Sequence, residues 1–120
     1  MLKKSANAKL EDLSPQQVQR LAADVYRQRG YEECLIAPEA MPDGLLLIRG
    51  EQRLVMQCRH WRARKVSEMP VREVYGAMAA HDATGGLLIS GGAFTFEAAR
   101  FAAMAGIELL DGPRLRELLL

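Results

Sequence analysis

The spacing of apolar residues predicts that the folded part of the chain begins with an amphipathic helix. Ser14-Pro15-Gln16-Gln17 has the form of a capping box with proline in the first helical turn. Gly30 is the residue type that commonly follows the last turn of a helix. Between them, apolar residues recur at the three- and four-residue spacing of one helix face: Val18, Leu21, Ala22, Val25 and Tyr26.

Three short apolar runs follow this helix and predict strands. They span residues 34–37, 45–48 and 54–58. Turn-forming residues separate them, Pro42-Asp43-Gly44 in the first gap and Gly50-Glu51 in the second. Runs of this length with such connections predict an antiparallel meander of three consecutive strands.

The second half of the chain alternates between helix and strand. We expect a loop over residues 59–69, followed by a helix that Pro70 opens. The later elements are a strand at residues 86–90, a helix after Thr95, a strand at residues 107–110 and a terminal helix after residues 111–113. The order αβββαβαβα predicts an α/β fold with a mixed sheet of about five strands and helices on both of its faces.

Composition is that of one average globular domain, with 120 residues, 49% of them hydrophobic and 26% charged. We assign this domain to residues 13–120, after a polar lead-in over residues 1–12 that we expect to be flexible. No apolar run approaches the length of a membrane span, so we expect no membrane contact by this domain. The sequence leaves open whether the chain is a fragment of a longer protein.

Two cysteines, Cys34 and Cys58, lie in apolar strand-like runs. They predict buried, inert thiols and a reducing, cytoplasmic location. The chain has neither a Cys-x-x-Cys sequence nor a paired-histidine spacing, so we expect no zinc-type metal site.

Positive charge is concentrated in the middle of the chain. The net charge is only +1, yet residues 49–72 carry seven cations against Glu51 and Glu68, a local balance of +5. Such a window predicts a surface that faces a polyanion. The alternative is a solvated loop whose charges pair with neighbouring acids.

Several motifs in this order resemble the Mrr-type branch of the restriction-endonuclease-like superfamily, the PD-(D/E)xK fold. They include Gln57-Cys58-Arg59 at the end of a predicted strand, Tyr75-Gly76-Ala77-Met78 on a helix and Phe94-Thr95 before another helix. The likeness runs from about residue 13 to residue 119. The resemblance implies a mixed sheet flanked by helices and a Mg²⁺-dependent endonuclease that acts on DNA.

The resemblance also implies where the catalytic residues should lie, and most of them are replaced. Gln19 stands where the family has a glutamate, Leu46 where it has the metal-binding aspartate, and Arg59 where it has a lysine; only Gln57 matches. Carboxylates hold Mg²⁺, and a guanidinium does not deprotonate as a lysine can. We therefore name no catalytic residue, metal ligand or cofactor, and expect a pseudo-nuclease.

A run of cations follows the degenerate strand end and predicts DNA binding. Arginine and lysine side chains grip the phosphates of double-stranded DNA, with arginine able to hold two oxygens at once. Trp61 among them either stacks on a base or fills the edge of the core. The residues that we predict to bind the DNA backbone are Arg59, His60, Arg62, Arg64 and Lys65.

Two alternatives to a DNA-binding pseudo-nuclease remain open at this stage. The first is an active endonuclease whose Mg²⁺ is held by relocated carboxylates; the candidates are Asp43, Glu51, Glu32 and Glu33. The second is a protein-interaction module, as a homodimer or within a larger protein, whose basic loop meets an acidic partner. The sequence decides neither the oligomeric state nor any DNA sequence preference.

Overall fold

The computed structural model describes residues 10–59 and 61–120. Among them, a 3₁₀ turn at Leu10–Asp12 precedes four α-helices, which alternate with seven β-strands. The helices are α1 (Pro15–Gln28), α2 (Glu68–Ala80), α3 (Phe96–Ala105) and α4 (Gly112–Leu119). The strands are β1 (Glu32–Leu35), β2 (Leu45–Arg49), β3 (Gln52–Cys58), β4 (Lys65–Val66), β5 (Gly85–Ile89), β6 (Ala93–Phe94) and β7 (Ile107–Leu110).

Five of the strands form one mixed sheet in the order β1-β2-β3-β5-β7. The first three strands are antiparallel neighbours, with Leu45 opposite Met56 where β2 begins and β3 nears its end. The strands β3, β5 and β7 are parallel, and helices connect them. The predicted α/β class and the antiparallel meander are confirmed.

The first helix forms where the sequence predicts it, because its two ends are locally specified. The Ser14 hydroxyl accepts a hydrogen bond from the Gln17 amide at 3.1 Å, and the Gln17 side chain accepts one from the Ser14 amide at 2.8 Å. At the other end Gly30 has φ +95°, a conformation that costs glycine little. The helix buries Val18, Ala22 and Tyr26 against the sheet.

The helices cover both faces of the sheet, as predicted. Successive residues of a strand point to opposite faces, so β2 contributes to two separate clusters of buried side chains. Leu45 and Leu47 pack with α1 and with Leu115 of α4. Leu46, in contrast, packs with residues of α2 and α3.

The predicted loop over residues 59–69 contains regular structure. The short strand β4 pairs in parallel with β6, and α2 begins at Glu68 rather than at Pro70. The Ser67 hydroxyl accepts a hydrogen bond from the Met69 amide at 3.4 Å and caps the helix. Pro70 thus lies at the third helical position. A backbone N–H there would have no acceptor within the helix, so proline removes no helical hydrogen bond.

Two other expectations need correction. Of the predicted lead-in, residues 1–9 lie outside the described residues, whereas Leu10 is buried in the cluster below α1 and α4, three residues before the predicted start of the domain at residue 13. Cys34 is exposed because it lies on the edge strand β1, where the neighbouring Leu35 is 88% exposed. Only Cys58 is a buried thiol. Within the described part of the chain, no helix is long and apolar enough to cross a membrane.

Candidate functional site

The four degenerate family positions lie together at one edge of the sheet. Because β2 and β3 are antiparallel, the start of β2 and the end of β3 meet at this edge. Gln19 reaches the edge from α1, and Arg59 follows directly after β3. We call Gln19, Leu46 and Gln57 the edge cluster. The contacts of these residues determine what they can do.

Gln19 ties two pieces of backbone together. Its side-chain oxygen accepts a hydrogen bond from the Cys58 amide at 2.7 Å, and its side-chain nitrogen donates to the Asp43 carbonyl. The side chain is buried. Both ends of this amide are therefore used to join the turn before β2 to the end of β3.

Gln57 makes a second link to the same turn. Its nitrogen donates to the Pro42 carbonyl at 2.9 Å, and the residue is only 2% exposed. Its oxygen Oε1 is buried without a hydrogen-bond partner among the described residues. Leu46, on the neighbouring strand, packs with Val55 and the side chains of α2 and α3.

These residues do not fit the divalent metal ion that the fold family uses. Mg²⁺ binds hard oxygen ligands and takes at least one carboxylate from the protein in such sites. The edge cluster offers one unclaimed neutral oxygen, Gln57 Oε1, and has leucine at position 46. Among residues 10–59 and 61–120, no group of three or more His, Cys, Asp or Glu side chains is arranged to hold a metal ion.

The candidate replacement carboxylates are not brought together. The Asp43 carboxylate lies on the α1 side, where Gln16 donates to it at 3.5 Å, whereas Leu46 faces α2 and α3. Glu51 lies in the hairpin beyond the far end of β2. Glu32 and Glu33 begin β1, opposite Ile48 and Leu47, and Glu33 forms an ion pair with Arg20. That hydrogen-bonded pairing with Glu33 raises the pKa of the Arg20 guanidinium.

Arg59 is held by an acid that the sequence analysis missed. Its guanidinium forms an ion pair with the carboxylate of Glu73 on α2. Both side chains remain partly exposed to solvent, so the pair contributes little to stability. Because Glu73 neutralises it, Arg59 is less suited to phosphate binding than we predicted. Nothing in the local sequence indicates this pairing, since 14 residues separate the partners.

The cations that follow Arg59 are arranged differently. We call residues 61–65 the basic loop. The side chains of Arg62, Arg64 and Lys65 are exposed there, and none makes an ion pair or hydrogen bond with the part of the chain that the structure describes. His60, the other predicted DNA-binding residue, lies outside the described residues.

Buried contacts fix the backbone of the basic loop. Trp61 is 5% exposed, and its indole N–H donates to the Leu10 carbonyl at 3.1 Å, so it fills the core rather than offering a face for stacking. A Cβ at Gly91 would overlap the carbonyl oxygen of Trp61, and one at Gly92 would lie 2.5 Å from that of Ala63. Strand pairing adds a hydrogen bond from the Ala93 amide to the Arg64 carbonyl at 3.0 Å.

The positive window of residues 49–72 therefore does not form one surface. Arg53 donates to the His81 carbonyl, and Arg72 pairs with Glu68. Arg49 bonds to Gln52 and to the Arg29 carbonyl near the start of β3. Seven residues of strand, roughly 20 Å, separate that region from the basic loop. Of the seven cations in this window, only the three of the basic loop form the exposed positive surface that the sequence predicted for the whole window.

Cys58, at the end of β3, is a free, buried thiol. Burial raises the pKa of its thiol to about 12. The thiol is thus protonated at neutral pH in the folded state, whereas the thiolate is the reactive form.

Comparison with known proteins agrees with this architecture. Residues 10–119 match a family model, Mrr_cat, described as restriction endonuclease. Among solved structures, the chain is similar to the crystal structure of a protein of unknown function, AF1548, with a TM-score of 0.59 and 17% sequence identity. The similarity covers 85% of this chain and 64% of that protein, so the chain spans about two thirds of its length. A search of curated proteins found no match.

Proposed function

The chain belongs to the Mrr-type restriction endonuclease family, and on that premise we propose that it binds double-stranded DNA by the phosphate backbone without cleaving it. Membership of a nuclease family supports a DNA-related role. The proposal has two parts, binding and the absence of cleavage, and each depends on different residues. A cytoplasmic location, where DNA is accessible in a reducing environment, is part of the proposal.

The observation that carries the binding part is the basic loop. Three adjacent exposed cations lack a partner among the described residues, and they project from a backbone that Trp61 and the Gly91-Gly92 turn hold in place. A guanidinium fork matches the oxygens of a phosphate, and a lysine adds a point charge. Because the loop backbone is already ordered, binding loses less conformational entropy than it would on a mobile loop.

The absence of cleavage is supported by the edge cluster. Hydrolysis of a phosphodiester by this family's chemistry needs a metal ion to supply a nucleophile and to stabilise charge. Here Gln19 is bonded to backbone at both ends of its amide, Gln57 donates to the Pro42 carbonyl, and Leu46 belongs to the core. No side chain in the cluster carries a negative charge.

Fluorescence anisotropy of a labelled 20-base-pair duplex, titrated over a salt series without divalent metal, tests the binding part. We expect log Kd to rise linearly with log salt, with a slope of about one per phosphate contacted. Arg62→Gln with Arg64→Gln should reduce that slope by about two and weaken binding, while the melting temperature stays the same.

A matched control removes the same two charges at the opposite end of the sheet, by Arg27→Gln with Arg29→Gln. Both side chains are exposed there. We expect this variant to bind almost as the wild type does. An equal loss of DNA affinity in the two variants would mean that net charge alone governs binding. If the wild type failed to bind DNA at low salt, the proposal would be refuted. Separately, Mg²⁺- or Mn²⁺-dependent nicking of plasmid DNA by the wild type would overturn the absence of cleavage.

A further inference from the structure

The helices on the two faces of the sheet present different surfaces to solvent. Every exposed residue of α1 is polar or charged, as is usual for a helix that faces water. On the opposite face, α2 and α3 carry four of the six large hydrophobic residues that are exposed in the described part of the chain: Met69, Tyr75, Phe96 and Met104. Exposed apolar side chains that cluster in this way mark a surface for contact with another molecule.

Helices α2 and α3 run side by side and form one continuous outer surface. The parallel strands β4 and β6 lead directly into them. The rings of Tyr75 and Phe101 meet edge to face with 5.6 Å between their centroids, and the Arg72 guanidinium lies 4.5 Å from the Phe101 centroid. The exposed residues of α3 are therefore continuous with Tyr75 on α2.

The exposed residues of α3 have the character of a helix that packs against another helix. Phe96 is 72% exposed and Met104 is 80% exposed. With Arg100 they follow the four-residue spacing of one helix face. Ala99 and Ala103 beside them are short, so a second helix could approach closely. We call the exposed residues of this helix the α3 face: Phe96, Glu97, Ala99, Arg100, Ala103 and Met104.

The charges of the α3 face are complementary to themselves. Glu97 and Arg100 have opposite signs, and neither forms an ion pair within the part of the chain that the structure describes. Together, the exposed residues of α2 and α3 include two cations and two anions, so this surface does not attract DNA as the basic loop does. A second copy of the same face supplies the opposite charge for both residues.

We propose that the α3 face joins two copies of this chain in a two-fold dimer, with α3 antiparallel to α3 of the second copy. Three residues of helix, about 4.5 Å, separate Glu97 from Arg100, so each Arg100 reaches Glu97 of the second copy across the two-fold axis. The same arrangement directs Phe96 of each copy toward Met104 of the other. The basic loop is not part of this contact, and the dimer is independent of DNA binding.

Sedimentation velocity over a series of protein concentrations tests the dimer. We expect a wild-type species of twice the monomer mass. Met104→Glu should raise the Kd of the dimer by roughly a hundredfold, because it places a carboxylate in the apolar contact. Leu35→Glu on β1 is the matched control, since it makes a similar change at a residue that is 88% exposed and lies outside the α3 face. This control should dimerise like the wild type.

A charge exchange tests the predicted pairing of Arg100 with Glu97. Arg100→Glu sets two carboxylates against each other and should weaken the dimer roughly tenfold. Glu97→Arg combined with Arg100→Glu restores opposite charges across the axis and should return the Kd to within about threefold of the wild-type value. A mere loss of local helix stability would not be rescued in this way. Melting temperatures of all variants confirm that folded proteins are compared.

Three results would overturn the proposal. A wild type that stays monomeric at every concentration would show that the α3 face does not join two copies. A dimer that Met104→Glu leaves intact, or that Leu35→Glu weakens equally, would place the contact on another surface. Failure of the double charge exchange to recover the loss caused by Arg100→Glu would exclude the antiparallel pairing. DNA binding by the basic loop stands or falls separately, in the anisotropy assay.

Discussion

Gln57 of the edge cluster lies only four residues before the basic loop, yet the two regions treat polar side chains in opposite ways. In the edge cluster, Gln19 and Gln57 turn inward and bond to the backbone at Cys58, Asp43 and Pro42. In the basic loop the backbone packs inward, while the cationic side chains project into solvent. One region uses its polar groups to hold the fold, and the other leaves them available for a ligand.

Burial explains this difference. A buried amide costs stability unless it is hydrogen-bonded, so both ends of the Gln19 amide and the nitrogen of the Gln57 amide are committed to backbone partners. An exposed guanidinium carries no such cost and stays free to exchange water for phosphate. A polar residue can therefore remain at a family position and no longer be available to bind a ligand. The following variants test this comparison.

Leu46→Asp should have the largest effect, because it returns the family carboxylate to a position that is now part of the core. We expect the free energy of unfolding at pH 7, measured by urea denaturation, to fall by about 3–5 kcal/mol. Burial raises the pKa of the new carboxyl group in the folded state. The free energy of unfolding of this variant is therefore greatest below the pKa that the carboxyl group has in the unfolded chain, about 3.9. It declines as the pH rises through the higher pKa of the folded state.

Leu46→Asn is the matched control for that variant, since it has nearly the same shape without the charge. Its stability should not share the decline with pH. If millimolar Mg²⁺ restored the free energy of unfolding of the Leu46→Asp variant, the conclusion that the edge cluster does not fit a metal ion would be contradicted.

Gly91→Ala should have the next largest effect, because its Cβ would overlap the Trp61 carbonyl and displace the basic loop. We expect a loss of roughly 2–3 kcal/mol in the free energy of unfolding, together with weaker DNA binding. The control is Gly76→Ala on α2, where a Cβ has no atom within 4 Å and alanine suits the helix better. If the two variants were equally stable, the basic loop would not be fixed as we describe.

Gln19→Glu should have the smallest effect of the three. It removes the donor to the Asp43 carbonyl and brings a negative charge near that oxygen, so we expect a loss of about 1–3 kcal/mol. In a Cys34→Ser background, thiol labelling of the buried Cys58 should become faster, because residue 19 would no longer tie the Cys58 amide to the Asp43 carbonyl. Gln17→Glu is the control, since glutamate also completes a capping box. Unchanged labelling would show that Gln19 does not hold this edge together.

Much of the fold was predictable because its signals are local. The capping box at Ser14 and the glycine at position 30 bound α1, and short polar turns separate the first three strands. The start of α2 was predicted two residues late, because proline at the third helical position resembles proline at the first. The pairing of β4 with β6 was not predictable from two-residue segments that carry no periodicity of their own.

The exposure of Cys34 illustrates a second limit. An apolar run predicts a strand, but whether a side chain is covered depends on the position of that strand in the sheet. Because β1 is an edge strand, its tip at Leu35 is left uncovered. Sheet order is set by contacts between distant segments, so no local pattern in residues 34–37 could show it.

The sequence by itself determined the α/β class, the family, and the residues that occupy the degenerate positions, because periodicity, capping and motif spacing act over a few residues of chain. Tertiary structure alone decided which cations are available. It pairs Arg59 with Glu73 and buries Trp61 against Leu10, whereas Arg62, Arg64 and Lys65 stay exposed. Charge and burial are properties of neighbours in space, and these neighbours lie 14 and 51 residues apart in the chain.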